Sequence, residues 1–304
     1  MNQIDILNFL ITFPLTWYLI YVNLPFFRKF LPDKPSLRSS HNKTKPTGGG
    51  IFIVLTSSLS FILNGDYFLL ANSLLGLIGF IDDKFHLSVS LRFIFQFLFV
   101  NFLIQQSDLF NLFFANNIFI INFIFWLISN LILIGIINFI NFMDGMDGLL
   151  GGSIIFVIFL SASILNLNFY GLIFSLLAFL YWNWPPSRIF MGDAGSTFLG
   201  GFLVSVLTKT NSFEQSIIIF ISFSPLWVDS FICLLRRFYN KQKIFQPHKL
   251  HLYQRLNQNG WSHSKVSILY LLCSFILTLI CLSKNWGLII TGFTCLSIFG
   301  IYLD

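Results

Sequence analysis

Charged side chains are scarce in this chain of 304 residues: 10% are Asp, Glu, Lys or Arg, and Glu214 is the single glutamate. Apolar residues make up 56% of the chain, in runs that repeatedly approach the roughly 20 residues needed to cross a bilayer. This balance excludes a soluble globular protein. The sequence therefore predicts a single all-α domain over residues 1–304, a polytopic transmembrane bundle of about 10–11 helices.

Cysteine is also rare. The chain has four cysteines, each within an apolar stretch and none in a CxxC pair. This usage is typical of small core or lipid-facing residues and does not indicate a metal or redox site. The four are Cys233, Cys273, Cys281 and Cys295.

The lengths of the apolar runs and the polar residues that separate them predict eleven membrane spans, several of them short. The first lacks a basic leader and a cleavage site, so we expect a retained helix. The spans are predicted at 5–26, 49–64, 67–81, 91–106, 117–137, 149–165, 169–184, 196–208, 214–235, 265–282 and 287–302.

The basic residues predict the orientation of these spans. Sixteen of the eighteen Lys and Arg fall in loops on one face, and Lys209 and Lys284 are the two on the other. The positive-inside rule assigns the richer face to the cytoplasm and the N-terminus to the outside. The net charge of +6 then reflects topology and attraction to anionic lipids or substrates, which argues against nucleic-acid binding.

Asp82 and Asp83 are adjacent carboxylates at the cytoplasmic end of the third span. Their repulsion is relieved when a cation lies nearby, and Mg²⁺ commonly binds one or two carboxylates together with substrate phosphates. The alternative is a solvated helix end that stops membrane insertion.

A second cluster places polar groups at every third position. In a helix, this spacing would gather them on one face. Gly145 and Gly148 then allow a tight turn into the next span, whose N-terminus suits a phosphate. Polar packing between helices is the alternative. The cluster comprises Asn138, Asn141, Asp144 and Asp147.

Asp193 lies between glycines in the segment FMGDAGS, just before a further apolar run. It is a candidate metal ligand, with helix capping as the alternative. Arg188, a few residues earlier, is a candidate phosphate donor.

The longest polar loop contains His248 and His251 in the sequence PHKLHLYQR. Histidines at this spacing can bind a metal or a pyrophosphate. Zinc is disfavoured because no cysteine lies close by in the sequence, so we expect phosphate contact.

Together these motifs resemble the polyprenyl-phosphate N-acetylhexosamine-1-phosphate transferases of glycosyltransferase family 4, relatives of phospho-N-acetylmuramoyl-pentapeptide transferase. The resemblance runs almost from end to end. The matching segments are RSSHNKTKPTGGG, GFIDDKFHLSVSLR, NFINFMDGMDGLLGG, RIFMGDAGSTFLGG, PLWVDSFICLLRR and PHKLHLYQRL.

The resemblance implies a cytoplasmic active site that uses Mg²⁺, with Mn²⁺ as a substitute. It implies transfer of a sugar 1-phosphate from a UDP-N-acetylhexosamine to polyprenyl (undecaprenyl) phosphate, in a bacterial inner membrane. It also implies that Phe190 stacks on uracil. The catalytic residues carried over are Asp82, Asp83, Asp144, Asp147, His248 and His251; the substrate-binding residues are Lys45, Asn138, Asn141, Arg188, Phe190 and Arg255; the metal ligands are Asp193 and Asn138.

Two departures separate the chain from the muramoyl-pentapeptide branch. Lys84 directly follows the acidic pair, and HKLHLYQRL replaces a run of histidines. We therefore expect the branch that starts O-antigen, capsule or related surface polysaccharides, with the peptidoglycan transferase as the alternative. A secondary transporter is the rival from another class, although it would place ionisable residues near the midplane. The sequence leaves the sugar and the oligomeric state open, a homodimer included.

Overall fold

The computed structural model describes residues 3–35, 43–115, 118–243 and 248–303. Part of the polar segment before Gly48, including His41, lies outside these ranges. The described chain is all-α apart from a two-stranded antiparallel sheet. Its elements are α1 (Gln3–Phe30), β1 (Pro32–Asp33), β2 (Lys45–Pro46), α2 (Gly50–Asn64), α3 (Tyr67–Phe85), α4 (Val89–Gln106), α5 (Asp108–Ala115), α6 (Phe119–Phe142), α7 (Leu149–Leu165), α8 (Tyr170–Asn183), α9 (Gly192–Thr208), α10 (Phe213–Ser222), α11 (Ser224–Tyr239), α12 (Leu252–Gln258), α13 (His263–Leu282) and α14 (Trp286–Leu303).

The predicted all-α membrane fold is confirmed, and a helix lies at each predicted span. In the described chain, five helices are long and apolar enough to cross a membrane, or six if one bent pair counts as a span. The span predicted over 214–235 is not one continuous helix, because α10 and α11 meet at 76°. Pro225, in the first turn of α11, lacks the N–H that would continue the preceding helix. The short helices α5 and α12 were not predicted.

The buried helix α9 organises the bundle. Every residue from Ala194 to Thr208 is buried, and α2, α3 and α6 pack against it. Close approach depends on glycine: a Cβ on Gly79 of α3 would lie 2.2 Å from the Asp193 carbonyl oxygen, and one on Gly50 of α2 would lie 2.3 Å from Gly195. The glycines therefore bring the acidic end of α3 against the start of α9.

Polar side chains within the bundle pair with one another. The Asn72 carboxamide oxygen accepts a hydrogen bond from Ser205 at 3.0 Å, and Thr16 and Thr56 share one at 2.7 Å. Such pairs satisfy groups that would otherwise be stranded in hydrocarbon.

Candidate active site

A cavity of about 1350 Å³ opens where α3 and α6 end, where α4 and α9 begin, and where the segment before α12 passes. It brings together residues that are far apart in the sequence. The predicted site residues in its wall are Asp82, Asp83, Asn138, Asn141, Asp144, Phe190, Asp193, His248 and His251. Lys45, Asp147, Arg188 and Arg255 do not line it.

Asp83 caps helix α9 from the end of α3. Its carboxylate oxygens accept hydrogen bonds from the backbone N–H groups of Asp193 at 2.9 Å and Ala194 at 3.2 Å. The positive end of the helix dipole favours a carboxylate there. Gly192 has φ +74°, and a Cβ on it would meet an Asp83 oxygen at 2.5 Å, so glycine is required at this contact. The alternative reading of Asp193 as the cap of α9 is therefore wrong, because Asp193 lies within the first turn of the helix.

Arg92, in the first turns of α4, is a site residue that the motifs did not single out. Its guanidinium lies 3.1 Å from the Asp82 carboxylate and 3.9 Å from that of Asp193. The other Asp82 oxygen accepts the Leu87 N–H at 2.6 Å. In the sequence, Arg92 contributed to the prediction of membrane orientation and to the segment GFIDDKFHLSVSLR, but it was given no role in the site. A cation at the end of an apolar helix, nine residues after an acidic pair, itself indicates a functional residue.

Asp144 lies just beyond the end of α6. Removal from bulk water, followed by the nearby carboxylates of Asp193 and Asp83, raises its pKa well above the ordinary value. Like charges in a low-dielectric wall favour the protonated form unless a cation is bound. The cavity thus concentrates more negative charge than its own side chains neutralise.

Two amide side chains join the helices around these acids. Asn138 donates to Gln96 of α4 at 2.8 Å, and the Asn141 oxygen accepts from Ser196 of α9 at 2.7 Å. Both lie on α6 and line the cavity. Their carboxamide groups hold α4, α6 and α9 in register around the acidic wall.

Asp147 does not line the cavity; it lies in the turn between the end of α6 at Phe142 and the start of α7. The predicted helical face ends with Asn141, but Asp144 still lines the cavity with Asn138 and Asn141, and the predicted grouping is wrong only for Asp147. Gly148, with φ +74°, turns the chain before α7. Asp147 instead lies 3.3 Å from Lys45 and 3.4 Å from His263, and accepts the Ser187 N–H at 3.1 Å.

The pKa of Asp147 reflects these contacts. Burial raises it, but hydrogen bonds from His263 and the Ser187 backbone and the charge of Lys45 outweigh burial and lower the pKa to about 2. Lys45 also donates to the Ser187 hydroxyl at 2.8 Å and lies 5.1 Å from the centre of the Phe190 ring. Asp147 thus ties the loop before α7 to β2 and to the N-terminus of α13, beside the aromatic wall of the cavity.

The two other predicted cations lie elsewhere. The Arg188 guanidinium lies 5.4 Å from the Trp182 ring and 5.9 Å from that of Tyr181, both on α8. Arg255 is half-buried on the short helix α12.

The two histidines line the cavity from the segment that leads into α12. Burial, then the neighbouring His251 and Arg237, lower the pKa of His248 to about 4. His248 is therefore uncharged at neutral pH. His251 is buried beside Asp229, which accepts hydrogen bonds from the Leu252 N–H at 2.8 Å and the Tyr270 hydroxyl at 2.6 Å. Through these contacts Asp229 fixes the position of the segment that carries the two histidines.

Carboxylates, carboxamides, an arginine and a helix N-terminus around one open cavity are groups that bind metal-associated phosphates. The donor set suits Mg²⁺, because it consists of hard oxygen ligands and because a bound cation would relieve the repulsion among the carboxylates of Asp83, Asp144 and Asp193. A polytopic α-helical bundle that holds such a cavity has the features of an integral-membrane transferase.

The comparisons with known proteins agree with this class. Residues 66–211 match Glycosyl transferase family 4. The chain is 30% identical to a Bacillus subtilis protein over 272 residues, 81% of this chain and 75% of that protein. The chain belongs to glycosyl transferase family 4.

The Bacillus subtilis relative is named a probable undecaprenyl-phosphate N-acetylglucosaminyl 1-phosphate transferase. An undecaprenyl-phosphate α-N-acetylglucosaminyl 1-phosphate transferase of Thermotoga maritima is 30% identical, with 56% of this chain and 54% of that protein aligned. A phospho-N-acetylmuramoyl-pentapeptide-transferase of Rickettsia prowazekii is 29% identical, with 89% and 90% aligned.

Proposed function

We propose that this enzyme transfers N-acetylhexosamine 1-phosphate from a UDP-sugar to a polyprenyl phosphate, undecaprenyl phosphate in bacteria. The reaction releases UMP and leaves a polyprenyl-diphospho-sugar, the first membrane intermediate of a cell-envelope polysaccharide. The names of two relatives support this reading. The observation that carries it is the convergence of Asp82, Asp83, Asp144 and Asp193 on one cavity beside Arg92.

The reaction joins two anions. An oxygen of the lipid phosphate attacks the β-phosphorus of the UDP-sugar, and the bond to the bridging oxygen breaks so that UMP leaves. Positioning and charge compensation provide most of the catalysis in phosphoryl transfer. Bound Mg²⁺, or Mn²⁺ in its place, would neutralise the diphosphate and polarise its oxygens. Asp193, with Asp144 and Asn138 nearby, would hold it.

The remaining residues have separable roles in the proposal. Asp82, at the end of α3, would orient the attacking lipid phosphate or accept its proton, because the head group of a polyprenyl phosphate reaches only the membrane interface. Arg92 bridges Asp82 and Asp193 and would contact a phosphate oxygen. Phe190 offers a ring on which the uracil can stack.

The donor sugar is the open part of the proposal. UDP-N-acetylglucosamine is the first candidate because of the two relatives named for it. The muramoyl-pentapeptide transferase remains a second candidate, because the Rickettsia prowazekii relative aligns along most of both chains. A surface-polysaccharide role is favoured by Lys84 directly after the acidic pair and by the absence of a run of histidines in PHKLHLYQRL.

The test is an assay on membranes that contain the protein. Undecaprenyl phosphate is incubated with UDP-N-acetylglucosamine, with other UDP-N-acetylhexosamines, or with UDP-N-acetylmuramoyl-pentapeptide, each radiolabelled in the sugar. We expect lipid-extractable label and equimolar UMP with an N-acetylhexosamine donor, and none with Asp193→Asn. Label transferred only from the pentapeptide donor would favour the second candidate. Label carried into sealed vesicles as intact UDP-sugar, without UMP, would indicate a transporter.

The cytosolic supply of UDP-sugars requires the cavity to face the cytoplasm of a bacterial plasma membrane. Tags at Asn64, Asn166 and Lys284 should then react with an impermeant reagent added outside intact cells, and tags at Lys43 and Asn257 should not. The reverse pattern would remove the cytosolic donor from the proposal.

A further inference from the structure

Three metal-ligating side chains meet beside the cavity, two of them in its wall. Cys233 lies on α11, whereas His248 and His251 lie in the segment that leads into α12. The Cys233 Sγ is 3.9 Å from the His248 Nδ1. One ligand atom from each of the three residues falls within 4.8 Å of the others. These separations are close to those between ligands that share one tetrahedral cation.

The surroundings of His251 provide a second observation. The residue is 4% exposed, and its Nδ1 is buried without a hydrogen-bond partner among the described residues. The nearest Asp229 carboxylate oxygen lies 3.6 Å from that nitrogen. A carboxylate behind an imidazole is the usual outer partner of a metal-bound histidine, because it orients the ring and makes the ligand more basic.

We propose that Cys233, His248 and His251 form a binding site for a cation of the Zn²⁺ class. A thiolate and two imidazoles suit Zn²⁺ or its analogue Cd²⁺, whereas Mg²⁺ prefers oxygen ligands such as the carboxylates of the cavity. Three protein ligands leave a fourth position for water. Binding exchanges the thiol proton for the cation, and the proton passes to solvent.

A cation bound at this site would change how the cavity binds phosphate. His248 and His251 both line it, so a cation bound to their rings holds the histidines away from a phosphate. Zn²⁺ at this site would inhibit the transferase, and excess Mg²⁺ would not reverse the inhibition. This inference concerns metal binding and stands even if the proposed reaction fails.

The experiment is a Cd²⁺ titration of the purified protein in detergent. Mg²⁺ is present throughout at roughly 5 mM, so that weak oxygen-ligand sites are already filled and do not bind Cd²⁺. Thiolate-to-Cd²⁺ charge transfer in the near ultraviolet reports a cysteine ligand directly. We expect one Cd²⁺ per chain with this band. Cys233→Ser should abolish the band and weaken binding by more than the roughly 10- to 100-fold that loss of an outer partner costs. Competition by Zn²⁺ should remove the band from the wild type.

Cys281→Ser is the matched control, because Cys281 is also buried in a helix but lies on α13 outside the three-residue cluster. It should keep the band and the affinity. His251→Gln should weaken binding while the thiolate remains, which separates loss of a ligand from misfolding of the cysteine variant. Absence of the band in the wild type, or an unchanged band in Cys233→Ser, would overturn the proposal.

Discussion

Gly50→Ala is the most informative single change, because it would alter the acidic wall without touching an acid. An added Cβ would lie 2.3 Å from the Cα and backbone N of Gly195 and 2.9 Å from the Met191 carbonyl oxygen. All three are backbone atoms, so no side chain can rotate away. Ordinary contact begins near 3.4 Å, and α2 and α9 would have to separate by roughly 1 Å, in a core that transmits strain.

Asp193 follows Met191 by two residues and would move with it. A displacement of about 1 Å can reduce turnover roughly 100-fold, and overpacking of a tight core costs about 1–3 kcal/mol of stability. We therefore expect kcat for UMP release to fall by about two orders of magnitude. The variant should remain folded, with its melting temperature in detergent lowered by a few degrees, on the order of 2–4 °C per kcal/mol.

Gly151→Ala is the control. Gly151 also lies in the first turn of a buried helix, α7, but its added Cβ would meet side-chain atoms at 3.5 and 3.7 Å, which is ordinary contact. It should leave turnover and melting temperature near those of the wild type. Wild-type turnover in Gly50→Ala would refute the claim that the α2–α9 backbone contact sets the position of the acid.

Three further predictions concern the acids and the aromatic wall. Excess EDTA and Asp193→Asn should each abolish transfer while the protein stays inserted, and full activity in EDTA would contradict the metal requirement. Asp82→Asn should lower turnover far more than UMP affinity, whereas Phe190→Ala should weaken UMP binding; equal losses of affinity would deny them separate roles. Asp147→Asn should lower the melting temperature at neutral pH. Because the pKa of Asp147 is lowered from 3.8 to about 2, its contribution is present above the ordinary value and is lost as pH falls from about 4 towards 2. A difference between wild type and variant that stays constant across that range would contradict this assignment.

The fold was predictable where the length of an apolar run is enough to identify a membrane helix. The ends of α2 and α7 fall within one residue of the predicted spans. The break at Phe223 was missed because both halves are apolar and hydropathy does not report direction, although Pro225 marked the place. The short helix α12 was missed because a polar helix of this length shows little periodicity.

The site was predictable as a set of residues but not as a geometry. The motifs identified most of the cavity wall, including Asp83 and Asp193, yet which of the two caps α9 depends on a contact across 110 positions of sequence. The same limit applied to Asp147, whose helical spacing suggested a place beside Asn141, although α6 ends at Phe142. Cys233 was dismissed as a ligand because it precedes His248 by 15 positions, a spacing that only the fold brings within reach.

The segment that carries Asp193 is attached to its neighbours through main-chain atoms. The Phe190 N–H donates to the Pro46 carbonyl at 2.8 Å, and the Phe190 and Met191 carbonyls accept from Gly49 at 2.9 Å and Gly50 at 2.8 Å. Backbone N–H and carbonyl groups do not change when side chains are substituted, so these hydrogen bonds do not depend on amino-acid composition. The apolar residues of the membrane helices, forty phenylalanines among the chain's residues, can therefore be exchanged widely without moving Asp193. The condition is that the glycines which allow close contact between backbones are retained. Mutational tolerance in this molecule should accordingly be lowest at the glycines that lie against a neighbouring backbone, such as Gly50 and Gly79.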